Sequence, residues 1–297
     1  RTGETEQLES DIEELESTVN NRRKIKSLII DELKGINKKY PVPRKTTLVY
    51  SDEITEYNEE ESVDAYPVTL FLSRGGYFKK ITAQSLRMSG EQKYKDGDAL
   101  KLSFEATNAS ELLILTDRQQ MYKARLSDFE DCKASTLGIY LPTRLKMDEG
   151  ESIITMLDPK DYKNHLLFAF ENGKIARVEL SAYETKTNRK KLIGAYSDKS
   201  PLCAVLVLEG ERDILCTASD NRALIFNTSL MQPKASRSTQ GVAVMSLKAK
   251  RKMTGAVFAE ESSIKNTARY RVRSIPAAGA LIKDEDSEFQ QISLIDG

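Results

Sequence analysis

The sequence has no tryptophan, one histidine and three cysteines in 297 residues. A lone histidine, His165, excludes a histidine-based catalytic triad and the usual zinc sites, which need several such side chains. Three cysteines without metal-ligand spacing indicate neither a metal cluster nor a disulfide framework. We expect Cys203 and Cys216 to pack as small apolar residues in strands, and a cytoplasmic protein whose cysteines stay reduced.

Long apolar runs and phosphate-binding loops are also missing. No stretch approaches the roughly 20 apolar residues that span a bilayer, so we expect no membrane segment. There is no GxxxxGK[ST] loop, and the acidic residues flanking Gly97 lack the twelve-residue calcium pattern. We therefore predict no catalytic residue, no metal and no cofactor in this chain. It does not begin with Met and opens within a helical pattern, so we interpret it as a piece of a longer protein.

Charge is balanced over the whole chain, with 45 basic and 45 acidic residues, but it is unevenly distributed. Residues 1–64 carry 10 basic and 16 acidic side chains, and the remainder carries 35 and 29. This asymmetry indicates that the second part, rather than the first, would face an anionic partner.

The first part has apolar residues spaced by three and four, which predicts an amphipathic helix or helix pair interrupted near Asn20 and Asn21. This face could dock on its own domain or form an intermolecular coiled coil, and the seam is too short to decide. Pro41 and Pro43 end the helix. The acidic stretch that follows is typical of a solvated linker, with competition for a basic face as the alternative. The predicted domains are a helical segment at 1–40, an acidic linker at 41–66 and a β-rich domain at 67–297.

A strand–turn–strand pattern recurs in the second part. Its clearest copy is 67–81, PVTLFLSRGGYFKKI, in which Gly75 and Gly76 supply the positive φ of a tight turn. A β-rich unit recurring roughly every 40 to 50 residues predicts a propeller-like array whose blades bury their faces against their neighbours. With a degenerate copy that begins at Gly241, we predict an all-β array of about five blades. The other copies are 111–126, 165–180 and 213–228.

Basic residues recur within these copies. Sliding the copies over one another places Lys80, Lys123 and Arg177 at equivalent positions, with Phe226 in the fourth copy. The steps between these positions are 43, 54 and 49 residues. A separate stretch, 269–273, alternates arginine with other residues, which would line one face of a strand with arginines if it is extended.

Two features together resemble the C-terminal part of the A-type chain of bacterial type IIA topoisomerases, the gyrase and topoisomerase IV family. One is the end of the helical segment, 33–46, LKGINKKYPVPRKT, with its Lys-Tyr, short turn, two basic residues and Thr. The other is the array after an acidic linker, with a basic residue four positions beyond the turn, as from Gly76 to Lys80. The resemblance implies a β-pinwheel, a propeller-like disc whose blades exchange strands and whose basic perimeter bends DNA.

The resemblance also implies a non-catalytic fragment of an ATP-hydrolysing type II DNA topoisomerase. Its partners would be double-stranded DNA, the ATPase (B-type) chain of the holoenzyme and a second A-type chain of the parent enzyme. Lys and Arg contacts to phosphates give affinity without sequence readout, so one basic residue per blade would produce a charged stripe. The expected DNA-binding residues are Lys79, Lys80, Lys123, Arg125, Arg177, Arg269, Arg271 and Arg273.

One departure from the family bears on activity. The A-type chains of gyrase carry a basic box, Gln-Arg-Arg-Gly-Gly-Lys-Gly, after the first hairpin, and the corresponding 86–95, LRMSGEQKYK, lacks it. This favours a topoisomerase IV-like chain over gyrase-type wrapping. The alternative function is a propeller-type protein-interaction scaffold whose basic residues are solvated. The Ala-Arg-Tyr ending at Tyr270 echoes the family's cleavage tyrosine, but that tyrosine lies upstream of the helical junction, so we expect Tyr270 to be structural or DNA-facing.

Overall fold

The computed structural model describes residues 2–41, 63–88, 91–185 and 190–286. The chain divides into two compact units, 1–58 and 59–297. The boundary between them lies within the predicted linker, most of which is outside the described residues.

The first unit contains two helices, α1 (Thr2–Val19) and α2 (Arg22–Lys39), which confirms a helical segment before the array. The break falls at the predicted position because Asn21 caps α2, its side-chain oxygen accepting a hydrogen bond from the Arg23 amide at 3.0 Å. The apolar residues along both helices are largely exposed, and none of the α2 side chains is buried.

The second unit is built from short strands. Three short helices, α3 (Ala83–Met88), α4 (Leu141–Arg144) and α5 (Thr267–Tyr270), connect them. In chain order the strands are β1 (Pro67–Ser73), β2 (Tyr77–Thr82), β3 (Leu100–Thr107), β4 (Glu111–Thr116), β5 (Gln120–Arg125), β6 (Ile139–Tyr140), β7 (Ile153–Leu157), β8 (His165–Phe170), β9 (Lys174–Glu179), β10 (Lys191–Ile193), β11 (Leu202–Leu208), β12 (Asp213–Ala218), β13 (Arg222–Asn227), β14 (Val242–Ala243), β15 (Met253–Phe258) and β16 (Ala280–Leu281).

These strands form four antiparallel sheets, which confirms the propeller-like array. The sheet orders are β3-β1-β2-β6, β10-β5-β4-β7, β11-β8-β9-β14 and β15-β12-β13-β16, and we call them the first to fourth blades. The expected count of about five is therefore too high for the described residues. The degenerate copy that begins at Gly241 is no blade, because its two-residue strand β14 pairs with β9 as the edge of the third blade.

The blades exchange strands with their neighbours. After the β4–β5 hairpin of the second blade, the chain returns to form β6 in the first blade before it adds β7 to the second. The strands β10 and β14 arrive in the same way, each after the hairpin of the following blade. Each of the first three blades is thus complete only when the next hairpin is present, which links neighbouring blades through the covalent chain.

The core lies between blades, because alternate residues of each central strand face opposite neighbours. In β4, Ile114 packs in a cluster with Leu72 of the first blade, whereas Leu113 packs in a cluster with Phe168 of the third. A further cluster joins the third and fourth blades. Among the described residues, no such cluster joins the first blade to the fourth. Each blade is therefore held by its neighbours in sequence.

Each hairpin turn ends on a residue with positive φ: Gly76 (87°), Gln119 (53°), Gly173 (80°) and Asn221 (58°). Glycine and asparagine tolerate this left-handed conformation, whereas glutamine adopts it at a cost of about 1–2 kcal/mol. The turn of the second blade is therefore the strained one.

We expect Gln119→Gly to raise the free energy of unfolding by about 0.5–1 kcal/mol, since relief of strain outweighs the added flexibility of the unfolded chain. Urea titration followed by circular dichroism would measure the change. The matched control is Gly173→Ala, which should destabilise, because a Cβ there would lie 2.4 Å from the Met245 carbonyl oxygen. A loss of stability in Gln119→Gly would contradict the assignment of strain.

Candidate nucleic-acid interface

The basic repeat holds in three blades, and its register in the fourth differs from the sequence-based alignment. The position four beyond each positive-φ turn residue is Lys80, Lys123, Arg177 and Ile225. Strand pairing agrees, because each of these residues lies opposite a leucine of the first hairpin strand. The sequence-based alignment placed Phe226 at this position and was therefore shifted by one residue. The step from Arg177 to the equivalent residue of the fourth blade is 48 residues rather than 49.

Lys80 is buried between the first and second blades, with 2% of its surface exposed. Its Nζ donates to the Asn108 side-chain oxygen at 2.6 Å and to the Leu126 carbonyl at 3.1 Å, and lies 3.1 Å from an Asp131 carboxylate oxygen. Leu126 begins the 3-10 turn that follows β5 of the second blade. The ammonium group therefore satisfies its three donors across the blade boundary.

Arg177 likewise donates hydrogen bonds across a blade boundary, between the third and fourth blades. Its guanidinium donates to the carbonyls of Thr228 at 3.0 Å and Met231 at 3.2 Å, and makes a two-pronged contact with Glu211 at 2.8 and 3.1 Å. Thr228 begins the 3-10 turn after β13, which is the structural equivalent of Leu126. In the fourth blade Ile225 replaces the cation and packs in an apolar cluster with Tyr270.

Lys123 departs from this pattern. Its Nζ pairs with Glu111 of its own blade at 2.8 Å and lies 5.6 Å from the centre of the Tyr162 ring. The Tyr162 hydroxyl donates to the same carboxylate at 2.5 Å, and burial together with this bond raises the pKa of Tyr162. Lys123 remains largely covered, with 15% of its side chain exposed.

Lys79 is buried on the other face of β2. Its Nζ donates to the Lys93 carbonyl at 2.7 Å, the Ala134 carbonyl at 3.0 Å and the Gln92 side chain at 3.3 Å. Burial lowers the pKa of Lys79. Arg125, at the end of β5, is half-buried.

As placed, Lys79, Lys80 and Arg177 face protein oxygens and present no charge to a partner. This differs from the role predicted for them. For Lys80 and Arg177 the physical reason is that the 3-10 turn after the following hairpin leaves carbonyls that need donors, and a long cation from the preceding blade supplies them. Lys79 instead serves carbonyls of the segments that cover the first blade. One sequence signal for burial was available, because Arg177 stands between Ala176 and Val178 in an otherwise apolar strand.

The three remaining predicted residues, Arg269, Arg271 and Arg273, are exposed. They do not form the expected extended strand, since Arg269 lies in α5 and the chain becomes extended only at Arg271. The backbone of Arg271 forms an isolated parallel β-bridge with Ile225, and the Arg271 guanidinium lies 2.5 Å from an Asp213 carboxylate oxygen. Tyr270 is buried, its hydroxyl donating to Asp286 at 2.7 Å, so of its two expected roles the structural one holds.

One edge strand of each blade has only two or three residues, and these short strands are β6, β10, β14 and β16. We call the segment of chain that leads into each of them a crossover segment. At the opposite edge of the third and fourth blades, the strands β11 and β15 lie beside each other, which places that edge toward the inside of the array. We therefore call the edge with the short strands the outer edge. The resemblance implied that the blades exchange strands, but sequence reasoning did not identify the segments that make the exchange. The crossover segments are 126–138, 180–190, 228–241 and 259–279, of which 186–189 lie outside the described residues.

Charge changes sign along these segments. The first carries three acidic residues and one basic residue, and the second carries one and three. The third has two basic residues and no acidic one, and the fourth has four basic residues together with Glu260 and Glu261, which directly follow β15. By sequence, the first segment therefore has a net charge of −2 and each of the other three has a net charge of +2.

Other kinds of site find no support in the described part of the chain. No group of three or more His, Cys, Asp or Glu side chains there could hold a metal ion. None of its helices combines the length and apolar character needed to cross a membrane. All three cysteines are free, and Cys216 is buried within β12, as expected of an apolar packing residue.

No protein-family model matches the chain. The A-type chain of DNA topoisomerase 4 from Staphylococcus epidermidis is 29% identical over 251 residues, which cover 82% of this chain and 31% of that protein. The Bacillus subtilis protein of the same name is 27% identical over 216 residues, which cover 71% of this chain and 27% of that protein. The chain is a homologue of the A-type chains of bacterial topoisomerase IV. It spans about a third of their length.

Solved structures agree on the fold. The C-terminal domain of DNA topoisomerase IV superposes with a TM-score of 0.59 at 22% identity, covering 68% of this chain and 64% of that one. The E. coli ParC C-terminal domain gives 0.57 at 16% identity, covering 74% and 95%. The array of this topoisomerase IV homologue is thus a β-pinwheel, as the sequence resemblance implied.

We expect Lys80→Met to lower the free energy of unfolding by about 2–4 kcal/mol, because Asn108, Leu126 and Asp131 would lose a shared buried donor. Denaturant titration would measure the loss. Lys133→Met, in the exposed part of the first crossover segment, is the matched control and should change stability by less than about 0.5 kcal/mol. Equal stability of the two variants would refute a structural role for Lys80.

Glu211 gives a pH-dependent prediction. Hydrogen bonds from Arg177 and then Thr228 hold the pKa of Glu211 below its usual value, despite partial burial. The carboxylate therefore stabilises the fold above its unfolded pKa of about 4.3, and this contribution is lost as the pH falls through the lower folded value. Glu211→Gln should be less stable than wild type at pH 7, with a difference that narrows below about pH 4. Urea titrations across this range would test it, and a pH-independent difference would contradict it.

Proposed function

We propose that this chain is the DNA-binding domain of the A-type chain of a type IIA topoisomerase, and that it holds and bends duplex DNA without reading its sequence. Homology and fold support the family role. The observation that carries the proposal is the pair of exposed arginines, Arg269 and Arg273, in the fourth crossover segment on the outer edge. The two acidic residues of this segment already pair with Arg212.

The proposed mechanism is electrostatic. Arg and Lys contacts to phosphates displace counterions, which gives affinity that is independent of base sequence and falls steeply with salt. Bending a site of 20–30 base pairs by 40–90° costs about 1–6 kcal/mol, so several contacts must act together. The third and fourth crossover segments, together with Lys190 of the second, distribute basic residues along one edge, as such a path requires.

We further propose a topoisomerase IV-like role rather than gyrase-type wrapping. The segment that stands in place of the gyrase basic box folds onto the first blade, where Gln92 and the Lys93 carbonyl accept hydrogen bonds from buried Lys79. The first crossover segment beside it is acidic. In the parent enzyme, the ATPase (B-type) chain and a second A-type chain would be the partners in an ATP-dependent change of DNA topology.

We expect the double variant Arg269→Gln and Arg273→Gln to weaken binding of linear duplex about tenfold at moderate salt. The slope of log affinity against log salt should fall by about 2, since each lost phosphate contact contributes about 0.9. Fluorescence anisotropy across a salt series would measure both effects. Lys133→Gln with Lys146→Gln is the control, because it removes the same charge from exposed sites near the first blade.

Three outcomes separate the alternatives. Equal losses in both double variants would show that net charge, rather than the fourth blade, governs binding. A change of linking number on nicked and religated circles would favour wrapping over simple bending. If the wild-type chain binds no duplex even at low salt, the DNA-binding proposal fails and a protein-interaction scaffold becomes the better hypothesis.

A further inference from the structure

A second basic element lies away from the outer edge. The loop 248–252, KAKRK, joins β14 to β15 and has four exposed cations in five residues. Lys252 pairs with Glu171 at 2.6 Å. Across the described ranges, no ion pair is observed for the other three side chains, Lys248, Lys250 and Arg251.

The fold does not require this charge. The segment 141–152 makes the equivalent connection from β6 to β7 and carries three acidic residues and two basic ones. The segment 194–201, from β10 to β11, has one acidic and one basic residue. Connections at the same place in the fold thus range in net charge from −1 to +4, so the charge of the 248–252 loop needs another explanation.

The loop is held in place at both ends. Before it, the Met245 amide donates to the Gly173 carbonyl at 3.0 Å. After it, Lys252 and Ser219 exchange two hydrogen bonds, at 2.9 and 3.1 Å. Within it, the Arg251 amide donates to the Lys248 carbonyl at 3.0 Å. The cations therefore lie on an ordered turn, which reduces the conformational entropy that the loop loses when it binds a ligand.

These anchors locate the loop at the hairpin-turn ends of the third and fourth blades, since Gly173 and Ser219 belong to those turns. The fourth crossover segment passes close by. Ala277 of this segment forms an isolated parallel β-bridge with Met245, and the Ser246 amide donates to the Ala277 carbonyl at 2.9 Å. Basic residues thus continue from Arg273 on the outer edge to the loop on the turn face, along one blade boundary.

We propose that the 248–252 loop is a second DNA-contact site, which binds the phosphate backbone of duplex that has passed the outer edge and reached the turn face. This inference rests on the proposed function and adds to it: the loop sets how much duplex is bound. Closely spaced cations without carboxylate partners fit a polyanion with regularly spaced charges. A short duplex occupies the outer edge alone, and a longer one also reaches the loop.

The test compares duplexes of about 20 and about 60 base pairs across a salt series. The variant is Lys248→Gln, Lys250→Gln and Arg251→Gln together, with Lys93→Gln, Lys133→Gln and Lys146→Gln as a charge-matched control. We expect the loop variant to lower the salt slope by about 2–3 on the long duplex only, with a loss of affinity of about tenfold or more. Circular dichroism would verify that each variant is folded.

The outcomes distinguish this inference from the proposed function. An unchanged slope in the loop variant on both duplexes would overturn the second site, while the outer-edge variant could still lose binding. Equal loss on short and long duplexes would overturn it as well, since the loop would then belong to a single continuous surface. Absence of wild-type binding to either duplex would reject the proposed function itself.

Discussion

The structure depends on buried cations that satisfy carbonyl groups across blade boundaries. A buried charge is costly unless hydrogen bonds and counter-charges compensate for its lost hydration. Lys80 and Arg177 meet this requirement with partners from the following blade. They join an apolar interface with directional bonds, and so fix how one sheet sits against the next in a way that non-directional apolar packing alone does not.

Strand exchange adds a covalent constraint to these contacts. The short edge strands β6, β10 and β14 each come from beyond the next hairpin, so neighbouring blades cannot separate without loss of a strand. The two ends of the array need other solutions. Lys79 binds a segment that covers the first blade, and Tyr270 bonds to Asp286 over the fourth. Ile225 then takes the place of the cation where apolar packing has replaced a following hairpin.

The same connections that complete the blades also carry the surface charge. Because crossover segments must run over the outer edge, their composition determines what that edge presents to a partner. In the first blade the segment contributes Asp131 to the pair with Lys80, whereas in the fourth it contributes Arg271 at the corresponding bridge. One architectural feature thus serves packing at one end of the array and charge display at the other.

The sequence by itself determined the all-β repeat, the helical segment with its break at Asn21, and the recurrence of a cation after three of the four hairpin turns, because these follow from local pattern and turn chemistry. It could not determine the blade count, since the apparent copy at Gly241 contributes only an edge strand to the third blade. Nor could it separate Lys80 and Arg177, which are buried, from Arg269 and Arg273, which are exposed. That distinction depends on which carbonyls the next blade brings near each cation, and only the tertiary structure decides that.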